Sequence, residues 1–319
     1  MNILMITDND PAGTGIAFCK AINRLTDHRC RLITRSQRYG FDYESDIHLP
    51  DCDDSIYDEI RDLLKKADVI HFHMLSDESV QLGPLKVSDY TAGKHLVHHH
   101  HGHPDFRSNG AFFREKYKRN GRPVLVSTPD LLKLVPEAAW VPNLVPLDDP
   151  LLSMTEETDG GPVVACQAPT RKDIKNTSDF IRAVEQVKQS CGIESVIIEG
   201  KRNRECLEIK RKCHIHFDHM QGYYGVSSLE SLSMGKPVIA GIDSWNRTHI
   251  LGFTGTETLP WHIARNPDEL VGILSRLGSS KDERVSSGRQ SRRFMEKHWN
   301  EEKVVARLIG AYDGHAFRI

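Results

Sequence analysis

Short apolar, β-rich runs alternate with helical stretches along this chain, and after an interruption near residue 150 the alternation begins again. Parallel strands need long crossovers and helices supply them, so this grammar constrains each half to a parallel sheet flanked by helices. In the first half, strands are expected at Asn2–Ile6, Cys30–Thr34, Val69–His73, His95–His99 and Val124–Ser127. The helices between them are expected over Gly15–Leu25, Ser55–Lys66 and Gly110–Arg119. The second half restarts with a strand at Val163–Gln167, a helix over Ser178–Ser190, a strand at Ser195–Glu199 and a helix over Arg204–Lys212. A strand at His214–Asp218, a helix carrying Glu230 and a strand at Pro237–Gly241 come next. Helices near Pro267–Leu277, Lys281–His298 and Glu301–Tyr312 finish the pattern. Between the halves, Pro142–Pro162 is rich in Pro, Asp, Thr and Gly and reads as a linker.

The 319 residues suffice for two domains with a core each, divided as 1–150 and 151–299. The formal net charge of −2 gives no reason to expect a nucleic-acid partner. Seven cysteines, with no CxxC pair among them, fit free thiols in a reducing cytoplasm better than a disulfide framework. Met1–Asp8 reads as a first buried strand, too short for a signal segment, and no stretch is long enough for a membrane span.

The segment from Gly222 to Ala240 carries the most chemistry. A glycine-bearing loop ends at Gly225, a helix opens over Val226, Ser227 and Ser228 with Glu230 near its start, and Gly235-Lys-Pro leads into Val238-Ile-Ala240. A helix N-terminus offers unpaired N–H groups and partial positive charge, which suit a phosphate, and an acid one turn in can accept from ribose hydroxyls. The ordinary alternative is a helix–Gly–strand junction with a solvated Glu, as any α/β protein has.

The ending Ser-Met-Gly-Lys-Pro-Val-Ile-Ala resembles the donor-binding signature of retaining glycosyltransferases of family 4, although Gly222 stands where that pattern has a first Glu. The resemblance implies a GT-B fold, two Rossmann-like domains facing a central cleft. The N-terminal domain would be acceptor-side and the C-terminal one would bind the nucleotide sugar, with 300–319 crossing back onto the first. It also implies that Arg171 and Lys175, in Ala168-Pro-Thr-Arg-Lys-Asp-Ile-Lys175, neutralise the leaving diphosphate. With Gly222 lacking a side chain, Asp218, Gln221 or backbone N–H groups would read the sugar. By spacing alone the basic pair is a solvated loop.

In the first half, Lys94-His-Leu-Val-His-His-His-His101-Gly-His103-Pro-Asp-Phe-Arg107 contains an internal histidine run. On a strand, His98 and His100 share one face and His99 and His101 the other. Imidazole ligates metals, but no acid or cysteine has telling spacing, so no metal is expected. The stretch from His101 to Arg107 resembles the His-Gly-x-x-x-x-Arg loop of the same transferases, which makes His101 and Arg107 the catalytic candidates. His71 and His73 fit a structural role. Gly13, Thr14 and Gly15 open the first helix and are a partial phosphate-loop signal without the full GxGxxG. Under the resemblance, this loop lets a phosphate approach the backbone. Phe112–Arg119 interleaves aromatics with bases. It serves either as a helix with a core face and a solvated basic face or as a contact with the inner face of an anionic membrane.

The expected activity is cytoplasmic, retaining, metal-independent transfer of a sugar from a nucleoside-diphosphate donor, with no cofactor, to a hydroxyl on a glycan or lipid-linked acceptor. Two rivals use the same architecture: a nucleotide-sugar 2-epimerase, and a non-catalytic binding or regulatory subunit. A dinucleotide oxidoreductase lacks its glycine fingerprint here.

Overall fold

Parallel pairing organises both halves of the computed structural model, which describes residues 1–36, 38–157 and 160–314. One unit comprises Met1–Leu144 with the C-terminal helix, and the other comprises Val145–Asn300. The first contains β1 (Asn2–Thr7), α1 (Thr14–Leu25), β2 (Arg29–Thr34), β3 (Ile47–His48), α2 (Ile56–Lys66) and β4 (Val69–His73). A short hairpin of β5 (Gln81–Leu82) and β6 (Leu85–Lys86) precedes β7 (His95–His100), α3 (Pro104–Ser108), α4 (Gly110–Asn120), β8 (Val124–Val126) and β9 (Ala139–Trp140). The sheet runs β3-β2-β1-β4-β7-β8-β9 with every neighbouring pair parallel.

Strands covered on both faces read as continuous apolar runs, and β1 does so from Ile3 to Ile6. On one face Leu4, Ile6, Ile70 and Phe72 pack against Ile60 and Leu64 of α2. In contrast, β4 and β7 bury five imidazoles: His71, His73, His98, His99 and His100.

The second unit contains β10 (Val163–Gln167), α5 (Thr177–Cys191), β11 (Ile193–Ile197), α6 (Asn203–Lys212), β12 (Ile215–Phe217) and α7 (Val226–Ser233). It continues with β13 (Val238–Ala240), α8 (Ser244–Thr254), β14 (Trp261–Ile263), α9 (Pro267–Ser279) and α10 (Lys281–His298). Its sheet order is β11-β10-β12-β13-β14, again all parallel. Phe180, Val184, Ile215, Phe217, Ile239 and Leu274 form its core. Gly235, at φ +68°, closes α7, and Gly288 of α10 lies so close that an added Cβ would overlap the Gly235 carbonyl.

The final helix, α11 (Glu301–Tyr312), belongs to the first unit. Arg24 pairs with Glu301 at 2.6 Å, and Arg307 Nε donates to the Trp140 carbonyl at 2.6 Å. Of the C-terminal segment 300–319 expected to cross back, residues to Gly314 are described and the rest lies outside the described residues.

The tract read as a linker is not loose. Arg211 donates to the carbonyls of Pro150, Leu151 and Ser153, Arg292 donates to that of Leu152, and Arg284 pairs with Glu157. Extended proline-rich chain leaves its carbonyls without ladder partners; Arg211 and Arg292 satisfy several of them, and Arg284 holds the tract by a side-chain ion pair. Residues 158 and 159 of the tract lie outside the described residues.

Candidate functional site

The C-terminal end of β12 delivers Asp218 to the start of α7. The carboxylate accepts from the backbone N–H of Gly225 at 2.6 Å and the hydroxyl of Ser228 at 2.7 Å, and Lys175 Nζ stands 3.4 Å away. Burial opposes its charge, but His219, Lys175 and these donors prevail and hold the carboxyl below the ordinary aspartate range. Gly225 leaves room here: a Cβ would press on Asp218 at 3.3 Å and Lys175 Nζ at 3.4 Å. Gln167 ties the group together, its amide donating to the carbonyls of Lys175 at 2.6 Å and Asp218 at 2.9 Å. The structure thus brings Lys175, Asp218, Gly225 and Ser228 into one cluster. The N–H groups of Val226 and Ser227 are the helix-end donors that Asp218 does not engage.

Glu230, on the same helix, is held from below. Lys210 of α6 is buried and donates to Glu230 Oε2 at 2.8 Å, to the Ser227 carbonyl at 2.9 Å and to the Ser227 hydroxyl at 3.0 Å. Burial pulls the ammonium pKa down, yet the carboxylate outweighs it and keeps Lys210 above an ordinary lysine. One oxygen of the acid expected to hold a ribose therefore has a structural partner.

The Arg171 guanidinium pairs with Asp173 on the exposed loop. Gln221 donates to Asn176 Oδ1 at 2.9 Å, and the same oxygen accepts from the Met220 N–H at 3.0 Å. Asn176 reaches this position through a left-handed backbone, φ 55°, at the start of α5. Gly222 has φ +89°, a conformation that L side chains rarely adopt, and a Cβ would face Asp243 Oδ2 at 3.4 Å. A glutamate at 222 would meet backbone strain and a like charge, which is the physical reason for the glycine.

In the first unit, both ring nitrogens of His101 are engaged. Nδ1 meets Asn143 Oδ1 at 3.1 Å and Nε2 meets His73 Nδ1 at 2.9 Å. Burial lowers its pKa to about 4, so the ring is neutral near pH 7. Arg107 lies on α3, pairs with Asp130 at 2.5 Å and donates to the Gly102 carbonyl at 3.2 Å. Its visible work is to fold the loop.

At the glycine loop the chain's own Asp10 faces the start of α1. Gly13 does adopt φ +60°, but the N–H groups of Thr14, Gly15 and Ile16 are directed at the chain's own Asp10. A carboxylate already fills the helix end on which a phosphate was expected. Sequence reasoning missed Asp10 in that role, and it also missed Lys210, Asn176 and Gln167. Asp10 had a local signal, an acid three residues before Gly13; the partners of the others are too distant in the chain to be read.

No family model matches the sequence, and no curated protein matches it. Solved structures match over nearly the whole chain. A glycosyltransferase from Rickettsia africae aligns over 98% of this chain and 98% of its own, at 11% identity and a TM-score of 0.62. HepE of Anabaena, in complex with UDP and glucose, aligns over 98% of this chain and 100% of its own, at 12% identity and a TM-score of 0.65. An alpha-glucosyltransferase, in complex with UDP and a 13-mer DNA, aligns over 98% and 99%, at 11% identity and a TM-score of 0.65. At such identities the likeness speaks of the fold. The chain has the two-domain GT-B fold of glycosyltransferases, with a parallel sheet flanked by helices in each unit.

Proposed function

We propose that this chain is a glycosyltransferase that moves a sugar from a nucleoside-diphosphate donor, a UDP-sugar first among them, to a hydroxyl acceptor with retention of configuration. The observation that carries the reading is Lys175 poised beside Asp218 at the N-terminus of α7, on the fold of enzymes that bind UDP. Lys175, the N–H groups of Val226 and Ser227 and the dipole of α7 supply fixed positive potential for a departing diphosphate. Arg171 adds to it on leaving Asp173. In this reading they do so in place of a divalent cation at the donor.

Glu230, oriented by Lys210, takes the ribose, and Asp218 and Gln221 lie next to the sugar. His101, neutral, and Arg107 serve the acceptor side, on a glycan or lipid-linked oligosaccharide. A cytoplasmic location with peripheral contact at the inner membrane face fits Phe112 of α4, which is 65% exposed.

A second reading has its own support. Gly222 brings no acid, and Asp218, Glu230 and His101 all have internal partners, as in a binding subunit that retains the fold without turnover. A thermal-shift panel of UDP, GDP, TDP and their sugars tests both. At least one nucleotide should raise the melting temperature, and Lys175→Ala should weaken that binding by about 10–100-fold, the worth of one charge-assisted hydrogen bond. Silence across the panel ends the transferase reading. Binding without any sugar transfer or donor hydrolysis selects the subunit.

A further inference from the structure

His71 and His73 of β4 and His99 of β7 line one face of the first unit's sheet, and His101, just past β7, continues the row. His73 pairs in register with His99, and the rings of His71 and His73 stack with centroids 4.3 Å apart. His99 and His101 follow at 4.2 Å. His71, His73 and His99 are at most 2% exposed.

Hydrogen bonds constrain the tautomers of two rings in this row, His101 and His73. Asn143 Oδ1 accepts from Nδ1–H of His101, which leaves Nε2 of His101 to accept from Nδ1–H of His73. His73 therefore carries a bare lone pair on Nε2, which is buried without a hydrogen-bond partner. Nε2 of His71 and both nitrogens of His99 are likewise buried without a partner. One ring nitrogen from each of the three lies within 4.8 Å of the others. Each buried imidazole lone pair calls for a donor or a cation, one per neutral ring. A water molecule donates to two acceptors at most, whereas a metal ion takes three.

We propose that His71, His73 and His99 hold one divalent transition-metal ion, with zinc the best match to three neutral nitrogen donors and a fourth position left for water. For His71 and His73 the second ring nitrogen is held by an oriented partner, as in metal-ligating histidines, whereas His99 has none. Tyr312 of α11 meets Nδ1 of His71 at 2.6 Å, and the His101–Asn143 relay holds Nδ1 of His73. Burial keeps all three imidazoles far below their ordinary pKa and so unprotonated, as ligands must be. This site is built from the first unit alone and stands whether or not the donor reading holds.

The test uses the untagged full-length chain, stripped by chelator and titrated with Zn²⁺ and then Co²⁺. One equivalent should bind and raise the melting temperature, and Co²⁺ should show the visible absorption of tetrahedral coordination. His99→Leu should abolish uptake. Asn143→Ala, which keeps all three ligands, should weaken binding by about 10–100-fold, as lost outer partners do. Uptake well below one equivalent by the wild-type chain overturns the proposal, as does uptake retained in His99→Leu. A His99→Leu variant that melts above the metal-treated wild type also overturns it, because the cluster would then be an uncompensated polar patch.

Discussion

Glu230 shows how a single residue can be legible in kind and hidden in circumstance. Its place on α7 and the Gly-Lys-Pro-Val-Ile-Ala ending were plain in the sequence. Its partner was not, because Lys210 lies in the last turn of a helix whose closing Lys-Arg-Lys reads as solvated, and twenty residues separate the pair. Removing one member of a buried pair leaves an uncompensated charge, at a cost of about 3–5 kcal/mol. Glu230→Ala should therefore lower stability by about that amount in urea denaturation, which makes it a poor probe of binding by itself. The double variant Lys210→Met/Glu230→Leu removes both charges and should recover most of the loss. If Glu230 takes the ribose, the recovered protein still fails to respond to the nucleotide that stabilises the wild type. An equal loss in the single and double variants would refute the account of the pair. Asp10 and Gly13 teach the complementary lesson: the glycine loop was visible, but the carboxylate that fills it was overlooked.

Among the elements, the long amphipathic helices and five-residue apolar strands were readable, since each contains enough residues to display its period. The two- and three-residue strands β3, β9 and β14 were not, because pairing with distant neighbours creates them. β11 also begins at Ile193, two residues before the expected start. Buried polar groups within strands carry a pH consequence in the second unit. His216, in β12, is buried and bonds Ser231 Oγ at 2.5 Å and the Lys210 carbonyl at 2.9 Å. His262, in β14, bonds Ser287 Oγ at 2.7 Å. Burial pushes His216 well below the imidazole range and His262 to about 4. Unfolded, both accept a proton near pH 6.5; folded, neither does until far lower. Their stability contribution is thus complete above pH 6.5 and falls as the pH drops, by up to about 1.4 kcal/mol per unit for each. The urea midpoint followed by tryptophan fluorescence should decline from pH 7 to pH 5, and His262→Gln should flatten the slope. A midpoint constant across that window in the wild type contradicts the assignment.

For the molecule as a whole, the repeated strand–helix alternation made two α/β units legible, but the partner of α11 could not be read from its own twelve residues. An amphipathic helix declares that it has an apolar face, not what covers it; here Val304, Val305, Leu308 and Tyr312 are buried within the first unit. Full burial of such side chains contributes about 1.5–3 kcal/mol each, so together they rival the 5–15 kcal/mol by which an entire domain is stable. Glu301, 7% exposed and paired with Arg24, adds a polar anchor at the helix start, and Tyr312 orders His71 near its end. A chain ending at Asn300 should therefore lose hydrogen-exchange protection in β1, β4 and β7 while β10, β12 and β13 keep theirs. A peptide covering residues 301–314, added in trans, should restore part of the loss, and more of it with Tyr312 than with Phe at that position. Unchanged protection of β4 in the truncated chain would show that the sheet stands without α11, and that the hydroxyl on His71 is incidental to the fold.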